Sequence, residues 1–169
     1  KAEPDYSTRD ILYVKGKTNK SEVLHVFVNH WSSRGGGLEQ TEPRRIEAAS
    51  ILKSKNDTIQ LTDNSANIII IGDMNDEPSN KSLANVLQAH DPEQQQSGLI
   101  NLMYPIHNNK LGSYFYRGNW NMLDNIVVSA SLLDKKGLEC KEKTGHVFHE
   151  SWMEFKNDKG EISPSRTYG

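Results

Sequence analysis

A continuous apolar run, Ile68-Ile69-Ile70-Ile71, leads directly into Gly72-Asp73-Met74-Asn75-Asp76, and this junction restricts the folds open to the chain more than any other segment. An unbroken aliphatic run of this kind reads as a strand covered on both faces, as in an α/β layer, because a half-solvated strand would alternate. In such sheets ligands gather beyond the carboxyl ends of the strands. An extended backbone has a period of two, which sends Asp73 and Asn75 to the same side. One anionic acceptor and one neutral donor/acceptor then converge on a metal, a water or a phosphate. Gly72, Asp73, Asn75 and Pro78 are also turn formers, so on this segment alone a plain turn explains them equally well.

With 169 residues the chain carries one domain's worth of core, and neither an internal repeat nor a low-complexity linker divides it. Its 20 Lys+Arg nearly balance 22 Asp+Glu, which excludes a broad attraction to nucleic acid or to an anionic membrane. Any polyanionic ligand must therefore be held locally. The single Cys140 rules out an intrachain disulfide and lacks a partner at metal-finger spacing, so it reads as a small apolar filler. No stretch approaches the roughly 20 apolar residues of a membrane span. The segment Lys1 to Asp5 lacks a signal-peptide core, and a removed signal is compatible with it, so the compartment stays open.

Punctuation by turn residues outlines the elements. Ile11 to Val14 and Val23 to Val28 are β-rich runs separated by a polar, Gly-containing segment, which predicts an antiparallel hairpin. The second run ends in Asn29-His30-Trp31-Ser32-Ser33-Arg34 and the mobile Gly35-Gly36-Gly37. A helix is expected from about Thr41, with Pro43 in its first turn and Ile46, Ala49 and Leu52 on one face. After the strand at 68–72, Ser79 is expected to cap a second helix with a Leu83, Val86, Leu87 stripe. Strands follow at Gly112 to Tyr116, Met122 to Ser129 and, more weakly, Val147-Phe148. Asp124 and Asn125 are adjacent and fall on opposite sides, so one must leave the core or both lie at a strand end.

Polar residues thus stand at the ends of apolar strands: His30, the Asp73/Asn75 pair, Asp124, and the basic Arg34, Arg44 and Arg45 downstream of His30. Singly, each is more often a satisfied structural residue or a cap. Together, a His, two carboxylates and an Asn suit phosphoryl chemistry, which requires a bound divalent cation, an oriented water and neutralisation of charge on phosphate oxygens. Serine or cysteine nucleophilic catalysis has no comparable set, and Gly35-Gly36-Gly37 lacks the Lys-Ser/Thr of a phosphate loop.

Three segments, Val28 to Arg34, Gly72-Asp73-Met74-Asn75-Asp76-Glu77-Pro78, and Trp120 to Ser129 with its Leu123-Asp124, resemble the endonuclease/exonuclease/phosphatase superfamily with its DNase I-like fold. The Gly-Asp-x-Asn-Asp core is the most specific of the three. Their order and spacing match the second half of that catalytic domain, so residues 1–169 read as the second half of a single domain. The resemblance implies an α/β (α+β) four-layered β-sandwich flanked by helices, here only partly covered. It implies a metal-dependent hydrolase of phosphate esters using Mg²⁺ (or Mn²⁺ or Ca²⁺). His30 matches a histidine bonded to a phosphate oxygen, with Asn29, Ser32 and Arg34 as further phosphate-binding residues. Asp73 and Asn75 match the pair that positions the attacking water or a second cation. Asp124 matches a carboxylate that orients a histidine.

The family's first half supplies an Asn and a Glu for the principal Mg²⁺, and its last motif is Ser-Asp-His; neither has a counterpart in this sequence. The chain is therefore expected to be inactive alone, to bind Mg²⁺ weakly, and to leave strand faces open to self-association. The competing reading is a non-catalytic binding or structural domain that keeps the fold. Nucleic acid, phosphoinositide and phospholipid head groups all remain open as substrates.

Overall fold

The computed structural model describes residues 9–95, 97–142, 145–160 and 162–165. Strand β1 (Leu12–Lys17) pairs antiparallel with β2 (Val23–His30), as the hairpin pattern predicts. Helix α1 (Leu38–Thr62) then carries the chain back so that β3 (Asn67–Asp73) runs parallel to β2. A parallel neighbour needs such a crossover, because a tight turn can only reverse direction. After a π-helical turn at Ser82–Leu87 come β4 (Ala89–His90), β5 (Leu99–Asn101), the short α2 (Tyr104–Asn108), and a hairpin of β6 (Tyr114–Tyr116) and β7 (Asn119–Asn121). Strand β8 (Asp124–Ser129) returns antiparallel to β3, completing a six-stranded sheet of order β1-β2-β3-β8-β5-β4. A small hairpin of β9 (Glu154–Lys156) and β10 (Ile162–Pro164) follows. The expected mixed α/β class holds.

Cross-strand register separates the two sheet faces. Phe27, Ile70 and Val127 form one row, and with Ile68 they are fully buried against Ala48, Ala49 and Leu52 of α1 and Leu83 and Leu87 of the π-helical turn. Each such side chain contributes about 1.5–3 kcal/mol on burial. The opposite face carries the rows Val14, Val26, Ile69, Val128 and Leu12, Val28, Ile71, Ile126. At the β8–β5 end Leu132, Leu138 and Cys140 cover it, which bears out Cys140 as a filler. At the β1–β2 end it lies open: Leu12 is 59% and Val14 47% exposed. Coverage of β3 on both faces, expected from its unbroken run, is thus only half realised: Ile68 and Ile70 are buried while Ile69 and Ile71 are partly exposed.

Other expectations need correction. Helix α1 begins one turn before Thr41, because the Arg34 carbonyl accepts the Gly37 N–H and turns the chain early; Pro43 consequently lies inside the helix. Its buried stripe is Thr41, Arg45, Ala48, Ala49, Leu52 and Asn56, with Ile46 only half-buried. Ser79 caps nothing. Its hydroxyl pairs with His107 Nε2 at 3.0 Å, and Asn80 instead accepts the Glu77 N–H at 2.7 Å and directs the chain into the π-helical turn. The expected Gly112 to Tyr116 strand shortens to β6, and Val147-Phe148 is not a strand, Phe148 being 71% exposed with no sheet partner among the described residues. Asp124 is the residue that leaves the core, while Asn125 is buried and bonded to Asn101 and to the Asp76 carbonyl.

Candidate active site

Three predicted site residues stand in one cross-strand row. His30, the last residue of β2, is opposite Asp73, the last residue of β3, and Asp73 is opposite Asp124, the first residue of β8. The row continues the partly open face beyond Val28, Ile71 and Ile126, away from α1. His30 Nε2 lies 3.8 Å from Asp73 Oδ2. Asp73, Asn75 and Asp124 line a cleft of about 590 Å³ together with Ser33, Arg34 and the β6–β7 hairpin.

Backbone geometry brings Asn75 there. The strand ends at Asp73, and Asn75 adopts the left-handed conformation at φ 50°, so strand periodicity is not what aligns the pair. A turn does so instead: the Asn75 N–H donates to Asp73 Oδ1 at 2.8 Å, and the Asn75 side-chain amide donates to the Trp31 carbonyl at 3.1 Å. The turn and the cleft are the same feature. Gly72 makes it possible. At φ 132°, a Cβ on Gly72 would sit 1.9 Å from the Asn29 carbonyl oxygen, so no side chain fits where β3 hands over to the loop.

Trp31, 1% exposed, locks the neighbouring loop. Its N–H extends the β2–β3 ladder to the Asp73 carbonyl at 2.9 Å, and its indole Nε1 donates to Asn29 Oδ1 at 3.0 Å. The Asn29 amide nitrogen donates to the Phe27 and Ile71 carbonyls, so this buried side chain is turned into the sheet and does not face the cleft as expected. Ser32 is also buried, and Ser33 takes the place on the cleft wall. Arg34 does line the cleft, but its guanidinium is largely committed: Nε to the Asn75 carbonyl at 2.7 Å, Nη1 to Asn121 Oδ1 at 3.2 Å and Nη2 to Asn80 Oδ1 at 3.1 Å. Burial lowers its pKa, opposed by Asp76 and Glu77.

Beneath the cleft lies a pair that pattern reading missed. Arg45 and Asp76 are 0% and 1% exposed, with Nε 2.8 Å from Oδ1. Ser82 donates to Asp76 Oδ2 at 2.6 Å, and Arg34 Nη2 lies 3.6 Å from Oδ1. Arg45 therefore anchors the underside of the loop that carries Asp73 and Asn75. The available signal was Asp76 itself, a carboxylate following the motif's Asn, with arginines one helix turn apart from polar neighbours. Arg44 is half-buried on α1 and does not line the cleft.

Electrostatically the cleft favours cations. Burial raises the Asp73 pKa, the Asn75 N–H opposes this, and the like charge of Asp124 raises it further. The Ser113 hydroxyl donates to Asp124 Oδ2 at 2.6 Å, which ties the β6–β7 hairpin to the row. Asp73 and Asp124 are the carboxylates here, and no group of three or more His, Cys, Asp or Glu among the described residues is placed to hold a metal ion. The described residues therefore do not by themselves complete a metal site.

Among solved structures, the chain is similar to truncated TDP2 from Caenorhabditis elegans, with a TM-score of 0.50 and 16% identity over 70% of this chain and 45% of that one. It is similar to a second structure of C. elegans TDP2, with a TM-score of 0.50 and 15% identity over 70% of this chain and 35% of that one. An endonuclease/exonuclease/phosphatase family protein from Bacteroides thetaiotaomicron matches with a TM-score of 0.36 and 16% identity, over 67% of this chain and 38% of that one. The chain thus spans less than half the length of these relatives, and the two TDP2 structures, at a TM-score of 0.50, support the fold. No curated protein matched. No helix among the described residues is long and apolar enough to cross a membrane. The Endonuclease/Exonuclease/phosphatase family profile matches all of residues 1–169, with the His30, Asp73-Asn75 and Asp124 segments inside the match, and the chain belongs to that family.

Proposed function

We propose that the cleft belongs to a metal-dependent hydrolase of phosphate esters. Members of this family are generally phosphoesterases and commonly use divalent metals. The observation that carries the reading is the row His30, Asp73, Asp124 with Asn75 beside it: two carboxylates and one amide line a solvent-open cleft, and the His30 imidazole, outside that lining, lies 3.8 Å from Asp73.

In this reading His30 donates a hydrogen bond to a phosphate oxygen. Asp73 and Asn75 position the attacking water, with the Asp73 carboxylate as its hydrogen-bond acceptor. Water attacks phosphorus, the ester P–O bond breaks, and the leaving oxygen takes up a proton. Asp124 is proposed to orient a histidine contributed from elsewhere in the domain. Asn29 serves by holding the Trp31 indole, and Arg34 by fixing Asn75 while presenting its charge to the cleft. A phosphate brought beside two carboxylates requires countercharge, which Mg²⁺ (or Mn²⁺ or Ca²⁺) supplies when bound. Asp73 and Asn75 are proposed as a partial ligand set, and a hard cation commonly takes about six or more oxygens, so further ligands must come from substrate, water or other residues.

The second reading, a binding domain without catalysis, is favoured by how many cleft groups already have protein partners. Assaying the full-length protein with Mg²⁺ against phosphodiesters, phosphomonoesters and inositol phosphates separates the two. Turnover abolished by EDTA is expected. Binding without turnover in every class would favour the second reading.

A further inference from the structure

Beside the carboxylate row stands a feature that phosphoryl chemistry does not require. In the β6–β7 hairpin, Phe115 turns inward onto Trp120, with ring centroids 5.1 Å apart. Tyr114 and Tyr116, two residues apart on one strand, turn the other way into the cleft. Their rings are nearly parallel, 14° apart with centroids separated by 6.1 Å, and they remain 48% and 51% exposed. Two large aromatic side chains left half in water on a cleft wall forgo burial that the sheet core would provide. The hairpin is held in place. Arg117 and Gly118 take positive φ at the turn, the conformation that a tight two-residue hairpin needs, and Ser113 and Asn121 tie its base to Asp124 and Arg34. The Arg117 guanidinium lies over the Tyr116 ring at 5.2 Å and brings positive charge to the same edge.

We propose that Tyr114 and Tyr116 form a stacking platform for the planar group next to the scissile phosphate, so that the cleft selects single-stranded nucleic acid over inositol or glycerol phosphoesters. The proposal rests on the phosphoesterase reading and names its substrate class. Aromatic faces stack on any base without reading its sequence, whereas a polyhydroxylated ring offers no π-face. Bases inside a duplex are already stacked on one another, so the platform is accessible to splayed bases, at strand ends or in single strands. The near-neutral charge of the chain agrees with this, because stacking and the local Arg117 replace a broad basic surface.

The test uses the full-length protein with a fluorescent single-stranded oligonucleotide and a water-soluble inositol polyphosphate. Anisotropy measures binding of a hydrolysis-resistant phosphorothioate form of the oligonucleotide with Mg²⁺ present, and hydrolysis of the natural oligonucleotide is measured under the same conditions. Tyr114→Ala and Tyr116→Ala are each expected to weaken oligonucleotide binding by roughly 5- to 150-fold, the range of one lost base stack, with Tyr116→Phe restoring it. The kcat/KM ratio of oligonucleotide over inositol polyphosphate should fall by the same factor. Oligonucleotide affinity unchanged in both alanine variants overturns the platform, as does an equal loss on both substrates. If the wild type hydrolyses inositol phosphates in preference and the tyrosine variants do not change this, the platform falls while the phosphoesterase reading stands. If the tyrosines govern binding but nothing is hydrolysed, the platform stands and the phosphoesterase reading falls.

Discussion

Replacing Asp76 by Asn is expected to be among the most damaging single changes of near-constant shape. Asn keeps the volume and can still accept from Ser82 Oγ, but it removes the anion that faces Arg45 Nε at 2.8 Å and Arg34 Nη2 at 3.6 Å. Arg45 is fully buried, and its two terminal nitrogens donate to the Thr41 hydroxyl at 2.7 Å and the Leu38 carbonyl at 2.9 Å, so it cannot swing out to water without breaking the first turns of α1. Leaving such a charge uncompensated costs about 3–5 kcal/mol. Against a typical total stability of about 5–15 kcal/mol this is roughly a fifth or more, and it lowers Tm by roughly 6–20 °C in a domain of this size. Paired urea and thermal unfolding curves measure it. Arg45→Met alone should cost less, about 1–3 kcal/mol, because Arg34 and Ser82 still serve Asp76. The double variant should recover part of the Asp76→Asn loss, since it removes the stranded cation. An Asp76→Asn protein within about 0.5 kcal/mol of wild type, the range of an ordinary surface change, would refute the assignment of this pair as the anchor of the loop.

Three further outcomes follow from the same geometry. Gly72→Ala forces a Cβ to within 1.9 Å of a backbone oxygen at a φ of 132°, so it should misplace the Asp73–Asn75 turn and destabilise by more than about 3 kcal/mol; a wild-type melt with intact activity would contradict this. Glu77 has a lowered pKa, chiefly through its hydrogen bond with His107, so the stability it contributes is present above the ordinary Glu range and is lost as pH falls through its own lower value. His107→Ala should raise that pKa and shrink the acid-side loss, which carboxyl NMR titration and urea midpoints between about pH 3 and 5 would follow; an unmoved Glu77 titration would contradict the pairing. Asp124→Asn removes a like charge and should lower the Asp73 pKa towards the ordinary carboxylate value, while burial keeps it from falling further; a rise would contradict the cross-strand coupling.

The strand at residues 68–71, the β1–β2 hairpin and the polar strand ends were legible because apolar periodicity and turn chemistry act locally. The alignment of His30 with Asp73 and Asp124 also followed from each standing at the end of an apolar run. What was hidden has physical causes. The buried stripe of α1 contains Thr41, Arg45 and Asn56, so a search for apolar periodicity placed Ile46 on the inner face and left Arg45 among the basic residues near the site, not in the core. The extended-strand argument reached the right pairing of Asp73 with Asn75 by the wrong route, since a left-handed residue and an Asx turn align them. Asn29 looked like a ligand because it adjoins His30, yet strand alternation turns it inward, where a buried indole needs an acceptor. Ser79 had the composition of a cap, but its hydroxyl is taken by His107 Nε2 and the helical turn starts only at Ser82, with Lys81 at its N-cap.

The central claim, that the Asp73 cleft hydrolyses phosphate esters, is tested most directly by comparing Asp73→Asn with wild type in the full-length protein at saturating Mg²⁺. The substrate is whichever phosphoester the wild type turns over, and melting curves are run alongside. Asp73 is partly exposed at a strand end, so the substitution should leave Tm within a few degrees while kcat falls by about 10²–10³-fold or more. Wild-type turnover by a folded Asp73→Asn protein would place the chemistry elsewhere and contradict the account.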